Sequence, residues 1–147
     1  MTTDFYDDLV AEARALLDGE SDPVANAANL SALLYMRLPD VNWVGFYFMR
    51  SGELVVGPFN GHPACTRIAL GQGVCGTAMA EQRTQRVADV HAFKGHIVCD
   101  PNSRSELVVP LGDLGVLDLD SPSPGRFGEV DQEGLERIAT VYLESIA

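Results

Sequence analysis

The chain reads as an α+β protein, with a mostly antiparallel six-stranded sheet and the N- and C-terminal helices packed on one face. Three observations predict this. Apolar residues recur at helical spacing near both ends. The middle is aromatic and β-branched. Turn signals there lie too close together for crossover helices, so neighbouring strands run antiparallel.

Each element has a local reason. Residues 3–18 carry Phe5, Leu9, Ala13, Leu16 and Leu17 on one helical face, with Gly19 as the stop. Asp22-Pro23 is an N-cap and N1 pair for an Ala/Leu-rich helix over 24–38, which ends before Pro39. Residues 41–49 form a first strand, Ser51-Gly52 a turn and 53–59 a second strand. Asn60-Gly61-His62-Pro63 is another turn, and 66–70 a third strand. Gly71-Gln72-Gly73 opens a short helix over 74–81, followed by a fourth strand at 85–90. Residues 91–104 are polar and irregular, a length at which a loop inside a compact domain is usually functional. Strands at 107–111 and 116–119 follow, and Asp131 is placed to cap a last helix with Leu135, Ile138, Tyr142 and Ile146 on one face.

The 147 residues fit one domain, 1–147, able to bury about 68–70% of the unfolded surface. An apolar fraction of 46% with 21% charged residues belongs to a globule, not a disordered chain. No apolar run is long enough to span a membrane, and the acidic start, Met1-Thr2-Thr3-Asp4, does not read as a signal peptide. The expected location is the cytoplasm. Net charge is −11, with the acids spread along the chain, which argues against nucleic acid or an anionic membrane as partner.

Cys65, Cys75 and Cys99 are odd in number and spaced C-x9-C-x23-C, a poor disulfide framework for a reducing compartment. They are buried thiols, metal ligands or redox groups. Cys75 opens the short helix, whose N-terminus would lower its pKa. Cys99 lies in the polar loop beside His96 and Lys94 and near Arg104, where positive charge favours thiolate. Two H-x-x-C segments, His62 to Cys65 and His96 to Cys99, offer a conceivable zinc set without the spacing of a known finger.

Carboxylates form a second group. Glu106 heads one strand, while Asp118 and Asp120 share a face of the next. Inside so apolar a strand they face solvent, find partners or stay protonated, and in a pocket they could hold an ammonium group or give a proton to a ligand oxygen. Trp43 and Tyr47 share a face of the first strand, as core or as an aromatic wall for a small ligand. The Gly71-to-Gly76 match to G-x-G-x-x-G lacks the parallel βαβ context of a dinucleotide site.

Seven segments together resemble the free methionine-(R)-sulfoxide reductases, a family built on a single GAF domain. They are Trp43-Val44-Gly45-Phe46-Tyr47, Gly57-Pro58-Phe59-Asn60-Gly61, Gly73-Val74-Cys75-Gly76-Thr77-Ala78, Asp89-Val90-His91-Ala92-Phe93, Gly95-His96-Ile97-Val98-Cys99-Asp100, Ser103-Arg104-Ser105-Glu106-Leu107-Val108-Val109-Pro110 and Gly115-Val116-Leu117-Asp118-Leu119-Asp120-Ser121-Pro122. All three cysteines match. The resemblance implies a thioredoxin-recycled oxidoreductase acting on free methionine sulfoxide, without metal or organic cofactor, tending to form homodimers. It further implies Cys99 as nucleophile, Cys65 as main resolving cysteine and Cys75 as an alternative or auxiliary thiol. Trp43 and Tyr47 would then line the pocket, with Glu106, Asp118 and Asp120 facing the substrate. The competing reading is a GAF domain that senses a small ligand without catalysis. Such domains usually accompany an output domain, for which this chain has no room.

The sequence departs from the family between the last two strands, where only Gly112-Asp113 separates Leu111 from Leu114. A two-residue turn would pair Glu106 with Leu119 and send it to the face opposite Asp118 and Asp120. Convergence of all three carboxylates requires the register shifted by one, with Glu106 opposite Asp120, and hence an odd-length loop or bulge. A five-residue loop would place Gly115 where positive φ is cheap; a three-residue loop would put Leu114 there.

Overall fold

A computed structural model describes residues 1–99 and 101–147; Asp100, the last residue of one matching segment, lies outside them. Two helices, α1 (Thr3–Leu17) and α2 (Pro23–Arg37), lead into β1 (Trp43–Arg50), β2 (Glu53–Gly61) and β3 (Arg67–Ala69). Then come α3 (Gly73–Glu81), β4 (Gln85–Val87), β5 (Ser105–Pro110), β6 (Gly115–Ser121) and α4 (Glu129–Ser145). The six strands form one sheet in the order β3-β2-β1-β6-β5-β4, and every neighbouring pair is antiparallel.

The helix starts follow their caps. Thr2 Oγ1 accepts the Phe5 N–H at 3.1 Å, and Asp22 Oδ1 accepts the Ala25 N–H at 2.8 Å. Asp131, expected as the cap of the last helix, sits one turn inside it. Gly128 is the N-cap, and its N–H donates to Asp131 Oδ2 at 2.8 Å. The other oxygen of Asp131 accepts Tyr6 OH at 2.6 Å and faces the Arg126 guanidinium at 3.3 Å. That network ties α4 to α1.

Some strand ends differ from expectation. The segment 85–90 stops as a strand at Val87, because the Asp89 side chain accepts the His91 N–H at 3.0 Å and starts a 3-10 turn, Val90–Ala92. Strand β2 runs on through Asn60-Gly61, pairing Gly61 with Trp43 instead of turning there.

Alternation along the strands builds two cores. Val44, Phe46, Phe48, Leu107, Val109, Leu117 and Leu119 pack beneath α1, α2 and α4. The opposite face carries Trp43, Tyr47, Val108 and Val116 and packs against α3. The sheet therefore has no bare side on which a carboxylate of β5 or β6 could simply meet water.

The β5–β6 register is the shifted one. Glu106 pairs with Asp120, Val108 with Asp118 and Pro110 with Val116. The Leu111 N–H donates to the Gly115 carbonyl at 2.8 Å and closes a three-residue loop, 112–114. That loop does not place Leu114 at positive φ. Gly112 takes the left-handed position at φ +59°, and Gly115 follows at φ +155°. A Cβ at Gly115 would strike the Tyr47 carbonyl oxygen of β1, so glycine permits both the turn and the close approach of the strands.

Candidate active site

The register decides what faces the second core. Trp43 of β1 pairs with Asp120 of β6, which pairs with Glu106 of β5, so the three make one row across the sheet. The next row is Gly45, Asp118 and Val108. All three predicted carboxylates and the tryptophan thus share a face, and Tyr47 lies one pleat further on it.

The aromatics position more than themselves. Trp43 stacks on Tyr47 with ring centroids 5.9 Å apart, and on Phe59 at 5.2 Å. Trp43 Nε1 donates to the His62 carbonyl at 3.0 Å, and Tyr47 OH donates to the Cys65 carbonyl at 3.1 Å. The two side chains hold the 62–65 segment against the sheet and so fix the place of Cys65.

Cys65 and Cys99 form a disulfide across the mouth of this face, with Cα atoms 5.3 Å apart. The two H-x-x-C segments do meet, but through their sulfurs as a covalent bond and not as a zinc set. Cys75 is the free cysteine and is buried. Its Sγ lies 3.9 Å from Glu106 Oε2, a weak S–H donor to a carboxyl oxygen. Cys75, Glu106 and Asp118 offer atoms within 4.8 Å of one another, the one such group among the described residues that could hold a metal ion. Beneath the disulfide, these groups and Asp120 line a cavity of about 40 Å³.

Burial sets the protonation of the cluster. Glu106 and Asp118 are 7% and 4% exposed. Burial pushes the Glu106 carboxyl well above the ordinary range; the charges of Asp118 and Asp120 and hydrogen bonds to both push it further. Burial raises Asp118 too, partly offset by hydrogen bonds from Glu106 and Cys75. One Asp118 oxygen, Oδ1, is buried without a hydrogen-bond partner. One expectation about cysteine activation is overturned. The Cys75 thiol is pushed up, first by burial and then by the neighbouring carboxylates, which outweighs the helix N-terminus. His96 is pushed down by burial and by His91, so it supplies little positive charge to Cys99 at neutral pH. Arg104 is 3.6 Å from Asp89.

Of the residues that line the pocket, Pro63, Ala64, Ile68, Ile97 and Ser103 carried no functional reading of their own in the sequence, and Phe59 backs Trp43 from outside it. Gly73 and Ile97 touch across the chain, since a Cβ at Gly73 would lie 3.3 Å from the Ile97 side chain. Only Ser103 had a usable signal, as a polar residue three positions before Glu106.

A disulfide lies over a group of buried acids on a six-stranded sheet flanked by terminal helices, and the GAF domain family matches residues 3–142. The chain is 51% identical to the free methionine-R-sulfoxide reductase of Escherichia coli (strain K12), over 92% of this chain and 85% of that one. It is 40% identical to the free methionine-R-sulfoxide reductase of Saccharomyces cerevisiae, over 97% and 86%. The structure of the Staphylococcus aureus enzyme in complex with its substrate superposes with a TM-score of 0.93 at 49% identity, covering 97% of this chain and 95% of that one. The chain belongs to the free methionine-R-sulfoxide reductases, oxidoreductases built on a GAF domain.

Proposed function

We propose that this protein reduces free L-methionine-(R)-sulfoxide to L-methionine, with Cys99 as nucleophile and Cys65 as resolving cysteine. The observation that carries this reading is the Cys65–Cys99 disulfide closing a pocket whose floor is Glu106, Asp118 and Asp120.

A sulfoxide sulfur accepts a thiolate only when its oxygen is protonated or strongly polarised. Buried carboxyl groups kept neutral at physiological pH supply that proton. Burial shifts Glu106 and Asp118 in that direction here. In the net first step the oxygen passes to Cys99, which becomes a sulfenic acid, and methionine is released. The Cys65 thiol attacks that sulfenic sulfur, water leaves and the disulfide forms. An external dithiol of the thioredoxin class then reduces the disulfide by exchange. Cys75 stays protonated and serves first as a hydrogen-bond donor to the acids.

The described state corresponds to the end of this half-reaction. A cavity that binds benzene has about 150 Å³; about 40 Å³ holds little more than water. Substrate entry therefore follows reduction of the disulfide and displacement of Cys99 with its loop. Methionine release from each free sulfoxide epimer, with dithiothreitol as reductant, tests the proposal. Turnover of the R epimer is expected, with none in Cys99→Ser. Wild-type-like turnover by that variant would remove Cys99 from the mechanism.

A further inference from the structure

The surface that an external dithiol must reach is unlike the rest of the molecule in charge. Residues 54–104 carry all three cysteines and hold three acids, Glu81, Asp89 and Asp100, against five Lys and Arg. That balance is +2 in a chain of −11, so the remainder stands at −13. No acid at all falls between Glu53 and Glu81, on either side of Cys65. Helices α1 and α4, which cover the opposite face of the sheet, carry nine acids between them. An acidic partner is therefore repelled by the helical face and turned toward the disulfide.

Beside the bond, exposed side chains are apolar. Val98, next to Cys99, is 61% exposed and Ile97 36%. The two sulfurs also differ in how their chain segments are held. Tyr47 OH donates to the Cys65 carbonyl, and the Thr66 carbonyl accepts the Val56 N–H of β2 at 2.9 Å. The backbone groups of Ile97 and Val98 make no hydrogen bond among the described residues. An extended segment of a partner can pair with the chain there and cover Val98, which it cannot do around Cys65.

We propose that the reductant is an acidic dithiol protein that docks on Ile97-Val98 and attacks the Cys99 sulfur. This rests on the reading of Cys65–Cys99 as the bond formed in turnover. The partner's first thiolate bonds to Cys99 Sγ, and Cys65 leaves as thiolate and takes up a proton. The partner's second thiolate then attacks its own first sulfur and releases Cys99. Two electrons pass to the Cys65–Cys99 pair, and the partner is left as a disulfide.

The test uses full-length protein oxidised chemically, without substrate, so that its outcome is independent of sulfoxide turnover. Reduction is timed with thioredoxin and, separately, with dithiothreitol, which is small enough to need no docking surface. Val98→Ser should slow thioredoxin about tenfold and dithiothreitol less than about twofold; Val98→Leu should behave as wild type. Val98 is exposed, so both variants should fold. In Lys94→Glu the thioredoxin rate, relative to its own dithiothreitol rate, should fall about threefold at low ionic strength and recover as salt is added. Thioredoxin lacking its second active-site cysteine, quenched with an alkylating agent, should be trapped on Cys99. Equal slowing of both reductants by Val98→Ser, no slowing of thioredoxin, a Lys94→Glu effect indifferent to salt, or trapping on Cys65 would overturn the proposal. A protein that passes these tests yet forms no methionine would contradict the reductase reading and leave the docking surface standing.

Discussion

Strands β5 and β6 serve two surfaces with opposite demands. Toward α1, α2 and α4 they send Leu107, Val109, Leu117 and Leu119, all buried hydrocarbon. Toward α3, the residues between these include Glu106, Asp118 and Asp120. The first face stabilises the fold by removing apolar area from water. The second buries carboxyl groups against one another, at a cost in stability, and so raises the pKa values of Glu106 and Asp118. Because alternate residues belong to different faces, the two functions are separable by substitutions one position apart.

The largest expected contrast is between Asp118 and Leu119. Leu119→Ala should cost about 2–5 kcal/mol of stability and leave most activity per folded molecule. Asp118→Asn should lower kcat/KM by about 100-fold or more while leaving the protein folded, as urea titration beside steady-state kinetics will reveal. If the two variants behaved alike, the separation of faces would be wrong.

The pH response should differ in the same way. The folded state holds Glu106 and Asp118 above their ordinary values. Their stabilising contribution is therefore complete below the unfolded values, about 4, and is lost as pH rises through the folded ones. Wild-type stability should decline from mildly acid to alkaline pH, by about 1.4 kcal/mol for each pH unit over which a carboxyl stays neutral. Glu106→Gln and Asp118→Asn should flatten that slope, whereas Leu119→Ala should shift the curve down without changing its shape. Thermal unfolding across pH distinguishes these outcomes.

A smaller effect, felt on both faces, is expected at Gly115. Gly115→Ala forces a side chain against the Tyr47 carbonyl at a φ that disfavours it, and should cost more than about 1 kcal/mol. The smallest lies at the sheet edge, where Arg67 and Glu53 pair at 2.8 Å in solvent. Glu53→Gln should change stability by less than about 1 kcal/mol and activity not at all, which makes it a control for charge removal.

Much of this arrangement was legible in the residues. Period-two alternation put Asp118 with Asp120 and Trp43 with Tyr47, because a strand leaves no other choice. The demand that Glu106 join them predicted the shifted register. The identity of the turn glycine was not legible, since Gly112 and Leu114 differ only in which torsion the closed loop imposes. The Cys75 pKa was misjudged for a related reason: a helix N-terminus is a local feature, while the burial that outweighs it, and the carboxylates that add to it, come from strands over thirty residues away. Ser103 had only its nearness to Glu106 to mark it, because an unpaired hydroxyl has no further signature until the fold shows that nothing answers it.

The central claim is that Cys99 and Cys65 form the working pair above the acids. Reduced protein, freed of reductant and given an excess of free (R)-methionine sulfoxide, tests it in a single turnover. The account predicts about one equivalent of methionine, the loss of two thiols per chain, and a Cys65–Cys99 peptide on mass mapping with Cys75 still alkylatable after unfolding. A disulfide that includes Cys75, or methionine formed with no thiol lost, would contradict it.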